Sequence, residues 1–139
     1  MSQHYERAIF FGDVDGAGFV FFANYLVLCH EAYETSLLRS GVELRTFFIA
    51  NRTLLPIAKS QAQYLGPLQS GNRVRVELAR TRLSDSLFRV DYRILLVASP
   101  GGADKLVALA QTEHVSIDLD TLERKPLPAG IAEWLAAKT

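Results

Sequence analysis

The sequence predicts an α+β domain in which one long helix lies against an antiparallel sheet. Two observations carry this reading. From Tyr25 to Ser40, residues Leu28 or Cys29, Ala32, Tyr33, Ser36 and Leu37 recur at three- and four-residue spacing, the period of a helix with one buried face. After Arg73 the period drops to two, with Val74, Val76 and Leu78 on one face of the first stretch and Phe88, Val90, Tyr92, Ile94 and Leu96 on one face of the next. Short connections join the last three strands, so they form an antiparallel meander.

The elements follow in order. Tyr5 to Phe11 reads as a short strand. The segment Gly12-Asp13-Val14-Asp15-Gly16-Ala17-Gly18 cannot continue it, because its glycines open backbone conformations closed to other residues. Asn24 is the expected N-cap of the long helix, and Gly41 its stop. A shorter helix is expected over Glu43 to Ala50. Leu54 to Leu65 is an extended segment, with Pro56 suited to its first residues or to a sheet edge. Gly66-Pro67, Gly71-Asn72 and Ser99-Pro100-Gly101-Gly102 are turns between the strands Arg73–Leu83, Leu87–Val97 and Leu106–Asp118. After a loop at Arg124 to Pro128, Ala129 to Lys138 is the expected final helix.

A chain of 139 residues suits a single domain, here taken as residues 1–139, with a core that needs no staples. Lys plus Arg and Asp plus Glu number 15 each, so there is no global basic field for nucleic acid. The sole cysteine, Cys29, cannot form an internal disulfide, and it reads as a small core residue. The residues from Met1 to Arg7 lack the apolar run of a signal peptide, and no stretch approaches the roughly 20 apolar residues that span a bilayer. The expectation is a cytoplasmic protein with no membrane or nucleic-acid partner. No Gly-x-Ser-x-Gly elbow, dinucleotide fingerprint or P-loop is present.

The stretch Phe11-Gly12-Asp13-Val14-Asp15-Gly16-Ala17-Gly18-Phe19-Val20-Phe21-Phe22-Ala23-Asn24-Tyr25 resembles the signature of hotdog-fold acyl-CoA thioesterases of the 4-hydroxybenzoyl-CoA type. The order of elements agrees over almost the whole chain. A narrower likeness, to the 1,4-dihydroxy-2-naphthoyl-CoA thioesterases that serve phylloquinone synthesis, rests on three segments. These are Asp13 to Gly18, Cys29-His30-Glu31-Ala32-Tyr33-Glu34, and Ala110-Gln111-Thr112-Glu113-His114-Val115 with the later Pro126-Leu127-Pro128. The resemblance implies a five-stranded antiparallel sheet wrapped around the central helix. It also implies hydrolysis of an aromatic acyl-CoA and a homo-oligomer, dimer or tetramer, with sites between subunits. No cofactor is implied, since coenzyme A belongs to the substrate.

By the same resemblance Asp15 is the catalytic carboxylate and the Phe22 backbone amide polarises the thioester carbonyl. On loop chemistry alone an Asp in a Gly-rich loop is usually a turn-capping residue; the wider signature sets Asp15 apart, and Asp13 keeps the turn or positioning reading. Related short-chain enzymes carry His at the Phe22 position. Its loss here throws more of the work onto Asp15 and favours an aryl over a short aliphatic substrate. Gly16 is expected beside the substrate, with Phe19 and Phe21 as aromatic walls or core. Arg80 and Arg82 continue the parity of Val74, Val76 and Leu78, where the face is expected to leave the core. Together with Arg89 they are candidates for coenzyme A phosphate contacts, against the alternative of solvated surface. Glu31, a polar group on a helix beneath a sheet, must reach a cleft or a partner. His30 and Glu34 lack the further ligands a metal needs, and no metal is expected. The rival from another class is an acyl-CoA or acyl-carrier binding module without catalysis.

Overall fold

The computed structural model describes residues 3–137. Its elements are β1 (Gln3–Ala8), a 3₁₀ turn (Phe11–Asp13), α1 (Phe22–Arg39), α2 (Leu44–Asn51), β2 (Thr53–Leu54), β3 (Ile57–Tyr64), β4 (Arg73–Arg82), β5 (Leu87–Leu96), β6 (Lys105–Val115), β7 (Ile117–Asp118) and α3 (Ala129–Ala136). Five strands form one antiparallel sheet in the order β1-β4-β5-β6-β3, and β2 pairs with β7 apart from it. The expected arrangement, a five-stranded sheet around a long central helix, is therefore present, with β4-β5-β6 as its meander.

Binary patterning explains the layers. Val74, Val76 and Leu78 of β4 and Phe88, Val90, Tyr92 and Ile94 of β5 are all buried beneath α1, which contributes Leu28, Cys29, Ala32, Tyr33 and Leu37. The alternation breaks at Leu95, where a β5–β6 register shift buries Leu95 and leaves Leu96 half-covered. Burial pushes the Cys29 thiol up to about 12, in keeping with a packing role.

Several expected boundaries move, each for a local reason. β1 stops at Ala8 and not at Phe11, because the Asp13 carboxylate accepts from the Phe10 amide (2.8 Å) and folds the chain into the 3₁₀ turn. Helix α1 starts at Phe22, three residues before the expected start. Asn24 is not the N-cap. Its side-chain amide crosses the loop to the Asp13 carbonyl (2.9 Å), and Phe21 holds the cap position with no side-chain cap. Glu43 caps α2 by accepting from the Thr46 amide. The extended segment at Leu54 is two strands, broken around Leu55-Pro56, and the segment ending at Asp118 breaks at Ser116, whose amide donates to the Ser86 carbonyl (2.7 Å). The last helix ends at Ala136, and Lys138 lies outside the described residues.

At the base of the core, the His114 ring is stacked on Phe88 (4.7 Å between centroids) and on Tyr33 (4.5 Å). Its Nε2 shares a hydrogen bond with Thr112, which in turn pairs with the Tyr92 hydroxyl. Burial pulls the His114 imidazole down to about 4 from its ordinary 6.5, partly opposed by the Leu55 carbonyl and helped by His30. The unfolded chain thus binds this proton near pH 6.5 and the folded one only near pH 4. Stability should rise with pH across that window and level off above it. The full shift corresponds to about 3 kcal/mol at 1.4 kcal/mol per pH unit. Urea midpoints at pH 4.5 and 7.5 measure it. A wild-type midpoint constant between those values contradicts the reading, and His114→Gln should show that constancy.

Candidate active site

Residues 13–21 form a small hairpin. Val14 and Val20 bridge, the Asp15 amide donates to the Phe19 carbonyl (2.8 Å), and the Phe21 amide donates to the Asp13 carbonyl (3.1 Å). Gly18 makes the turn with φ of 89°, a conformation that disfavours any side chain. Gly12 and Gly16 do not need that freedom. A side chain at Gly16 would project into open space, which leaves its backbone accessible. The hairpin is tethered to the β3–β4 connection, with Phe19 bridging Gln69 and the Val20 amide donating to Leu68 (2.8 Å).

Asp15 sits at the exposed tip. Its Oδ1 accepts from the amides of Ala17 (2.9 Å) and Phe19 (3.3 Å), while its Oδ2 accepts no hydrogen bond among the described residues. The turn-capping and chemical readings of this Asp are thereby compatible, because one oxygen fixes the loop and the other remains free. Phe22 opens α1 just beyond the hairpin. As the first residue of the helix its amide has no intrahelical acceptor, it has no other among the described residues, and Phe21 adds no side-chain cap for the amides that follow. An uncapped helix start presents unpaired N–H donors and the positive end of the helix dipole.

Phe19, Phe21 and Phe22 are exposed, so they are not part of the core. Tyr64, which sequence reasoning missed, extends this exposed aromatic surface, with the buried Tyr25 behind it. Tyr64 meets Phe22 edge-on at 6.4 Å and Tyr25 at 5.1 Å, and the Tyr25 hydroxyl donates to the Gly66 carbonyl (3.1 Å). Tyr64 shares the inward parity of Ala62 on β3, a signal too short to read without knowing which face turns inward.

The arginine candidates do not join this loop within the chain. Arg73 stands opposite Ala8 at the loop end of β4. Arg80 lies seven residues further on, roughly 24 Å away at the rise of a strand. Nor does its face leave the core as expected, because α3 covers it. The Arg80 guanidinium lies over the Trp134 ring (5.2 Å) and donates to the Ala137 carbonyl (2.8 Å). Arg82 donates to the Ser84 and Asp85 carbonyls of its own hairpin. Arg89 points to the outer face and pairs with Asp91 (3.0 Å). Glu31 is not directed at the hairpin tip. It accepts from Arg7 Nε (2.7 Å) and from the Tyr5 hydroxyl (2.9 Å) on β1. Among the described residues no three metal-ligating side chains gather, and no helix is long and apolar enough to cross a membrane.

Residues 9–135 match the thioesterase-like superfamily. The chain belongs to that family. It is 42% identical over 132 residues to a 1,4-dihydroxy-2-naphthoyl-CoA hydrolase of Synechococcus elongatus, covering 94% of this chain and 93% of that one. A hydrolase of the same name from Thermosynechococcus vestitus is 41% identical over 133 residues, covering 96% and 88%. In three dimensions this superfamily member superimposes on the crystal structure of a 1,4-dihydroxy-2-naphthoyl-CoA thioesterase from Synechocystis with TM-score 0.89 and 33% identity, covering 97% of this chain and 96% of the other. The narrower likeness read from Asp13–Gly18, Cys29–Glu34 and Ala110–Val115 thus agrees with the names these relatives carry.

Proposed function

We propose that this protein hydrolyses the thioester of an aromatic acyl-coenzyme A, with 1,4-dihydroxy-2-naphthoyl-CoA as its substrate. The products are 1,4-dihydroxy-2-naphthoate and coenzyme A, a step of phylloquinone (vitamin K1) synthesis. The observation that carries this reading is the placement of a half-free carboxylate, Asp15, on the same hairpin as the uncapped start of α1. The Phe22 N–H donates to the thioester oxygen, where negative charge grows as the carbonyl carbon becomes tetrahedral. Asp15 Oδ2 either attacks that carbon or takes a proton from the water that does. In the first route the thiolate leaves and water opens the resulting anhydride. In the second the tetrahedral adduct expels the thiolate directly. Both consume one water and yield the carboxylic acid and the thiol.

The exposed rings of Phe19, Phe21, Phe22 and Tyr64 suit a flat acyl group, at about 0.5–1.5 kcal/mol per ring pair beyond area burial. No cofactor, nucleic acid or membrane enters this reading, and the proposed setting is the cytoplasm. A hydrolysis panel of naphthoyl-, benzoyl-, phenylacetyl- and short-chain CoA esters tests it. Naphthoyl ester should lead in kcat/KM and short chains should trail at least about tenfold, the scale of a few contacts in an apolar pocket. Hydrolysis of none of them would favour the binding-module alternative.

The site is proposed to work in a homodimer or a tetramer built from it. Strand β3 is an eight-residue sheet edge with nearly every residue exposed, a row of free backbone groups that a second chain would cover. Light scattering at micromolar concentration should give a multiple of the 15.5 kDa chain mass. An active monomer would overturn this.

A further inference from the structure

We infer that Arg7 is a positioning residue for the thioester chemistry, locking the Asp15 hairpin to the start of α1. The inference rests on the hydrolase reading and assigns a role to a residue outside the signature.

Arg7 is the last inward-facing residue of β1 and its side chain is 15% exposed. The guanidinium forks between two carboxylates. Its Nη1 and Nη2 donate to Asp13 Oδ2 (2.7 Å) and Oδ1 (3.1 Å), and its Nε donates to Glu31 on α1 (2.7 Å). The remaining Nη1 hydrogen reaches the Ala8 carbonyl (2.8 Å). The planar fork matches both partners at once, which an ammonium cannot do. Each partner strengthens the other's charge: Asp13 raises Arg7 further, and the guanidinium holds the Asp13 carboxyl below its usual range.

Asp13 is the residue through which this reaches the site. Its carbonyl accepts both from the Phe21 amide and from the Asn24 side chain, one residue before and two after Phe22. Asp15 lies two residues further along Asp13's own strand of the hairpin, where its amide donates to the Phe19 carbonyl. Arg7 therefore fixes a residue that bonds on both sides of Phe22 and stands two positions from Asp15, and Glu31 holds Arg7. Displacing that residue shifts the carboxylate and the Phe22 N–H relative to each other, which catalysis tolerates poorly.

The test compares wild type, Arg7→Lys and Arg7→Met by steady-state kinetics and by residue-resolved amide exchange. Arg7→Met should lower kcat at least about tenfold with KM changed less than about threefold, as expected for lost transition-state geometry. Arg7→Lys, which keeps charge without the fork, should recover only part of kcat. In Arg7→Met the Phe21 and Phe19 amides should exchange at least about tenfold faster while those of Val90 and Ile94 in β5 hold wild-type rates. Unchanged exchange at Phe19 and Phe21 would overturn the inference. So would equal acceleration in the hairpin and β5, which marks a general staple. If the hairpin amides alone accelerate but the wild type hydrolyses no ester, the hydrolase reading falls and the positioning of the hairpin stands.

Discussion

Replacing Asp15 with Asn should leave the fold intact and lower kcat at least about a hundredfold, the scale for losing a positioned acid or base. The geometry makes this substitution unusually clean. Asn retains a side-chain oxygen that can accept from the Ala17 and Phe19 amides, so the hairpin tip keeps its shape. What disappears is the negative charge and the basic or nucleophilic Oδ2. KM should move little, because the carboxylate acts on the reacting carbon and does not grip coenzyme A. Steady-state kinetics with circular dichroism decides it. A folded Asp15→Asn protein turning over near the wild-type rate removes Asp15 from the mechanism.

The largest stability effect should come from Phe88→Ala. Phe88 is completely buried, lies parallel to the His114 ring, and meets Trp134 edge-on at 5.6 Å. Truncation removes one side of a stack that has no mobile neighbour to fill it, because Tyr33 is itself pinned against His114 and Trp134. The expected loss is about 3–5 kcal/mol, the usual range for Phe→Ala in a core. Trp134, the only tryptophan, reports the transition directly. Denaturation at a fixed protein concentration keeps self-association from entering the comparison. A loss under about 1 kcal/mol would mean the stack collapses freely onto the vacated space.

The sheet was legible wherever one face is buried and the other wet. Val74 to Leu78 and Phe88 to Ile94 show this, because their alternation is the direct imprint of a half-buried surface. Strand β3 was less legible: with nearly all its residues exposed, nothing compels its residues to alternate. The start of α1 was misplaced because Asn24 has the chemistry of a cap, and only the folded hairpin shows that its amide is spent on Asp13. The identity of Asp15 came from a resemblance, and its environment from the structure. The arginines failed for a different reason. Parity told correctly which face Arg80 shares, but could not reveal that a helix nearly fifty residues later would cover it. Glu31 was singled out as needing a cleft or a partner, but the partner, Arg7, was hidden by the same limit, since an ion pair between residues 24 positions apart leaves no local pattern.

Strand β1 is joined to α1 by polar groups more than by packing. Ser36 bonds Gln3, Glu31 takes Tyr5 and Arg7, and Arg39 reaches the His4 carbonyl. Such a seam lies at the margin of the sheet, with β4 as its only strand neighbour among the described residues, while the hydrophobic centre of the fold sits on β4, β5 and β6. Marginal strands open at lower free-energy cost than central ones. Warming would therefore detach β1 ahead of the rest, and its departure takes Arg7 from the hairpin. The enzyme would fall silent while most of its sheet is still assembled, so activity should be lost on heating below the temperature at which the far-ultraviolet circular dichroism signal collapses.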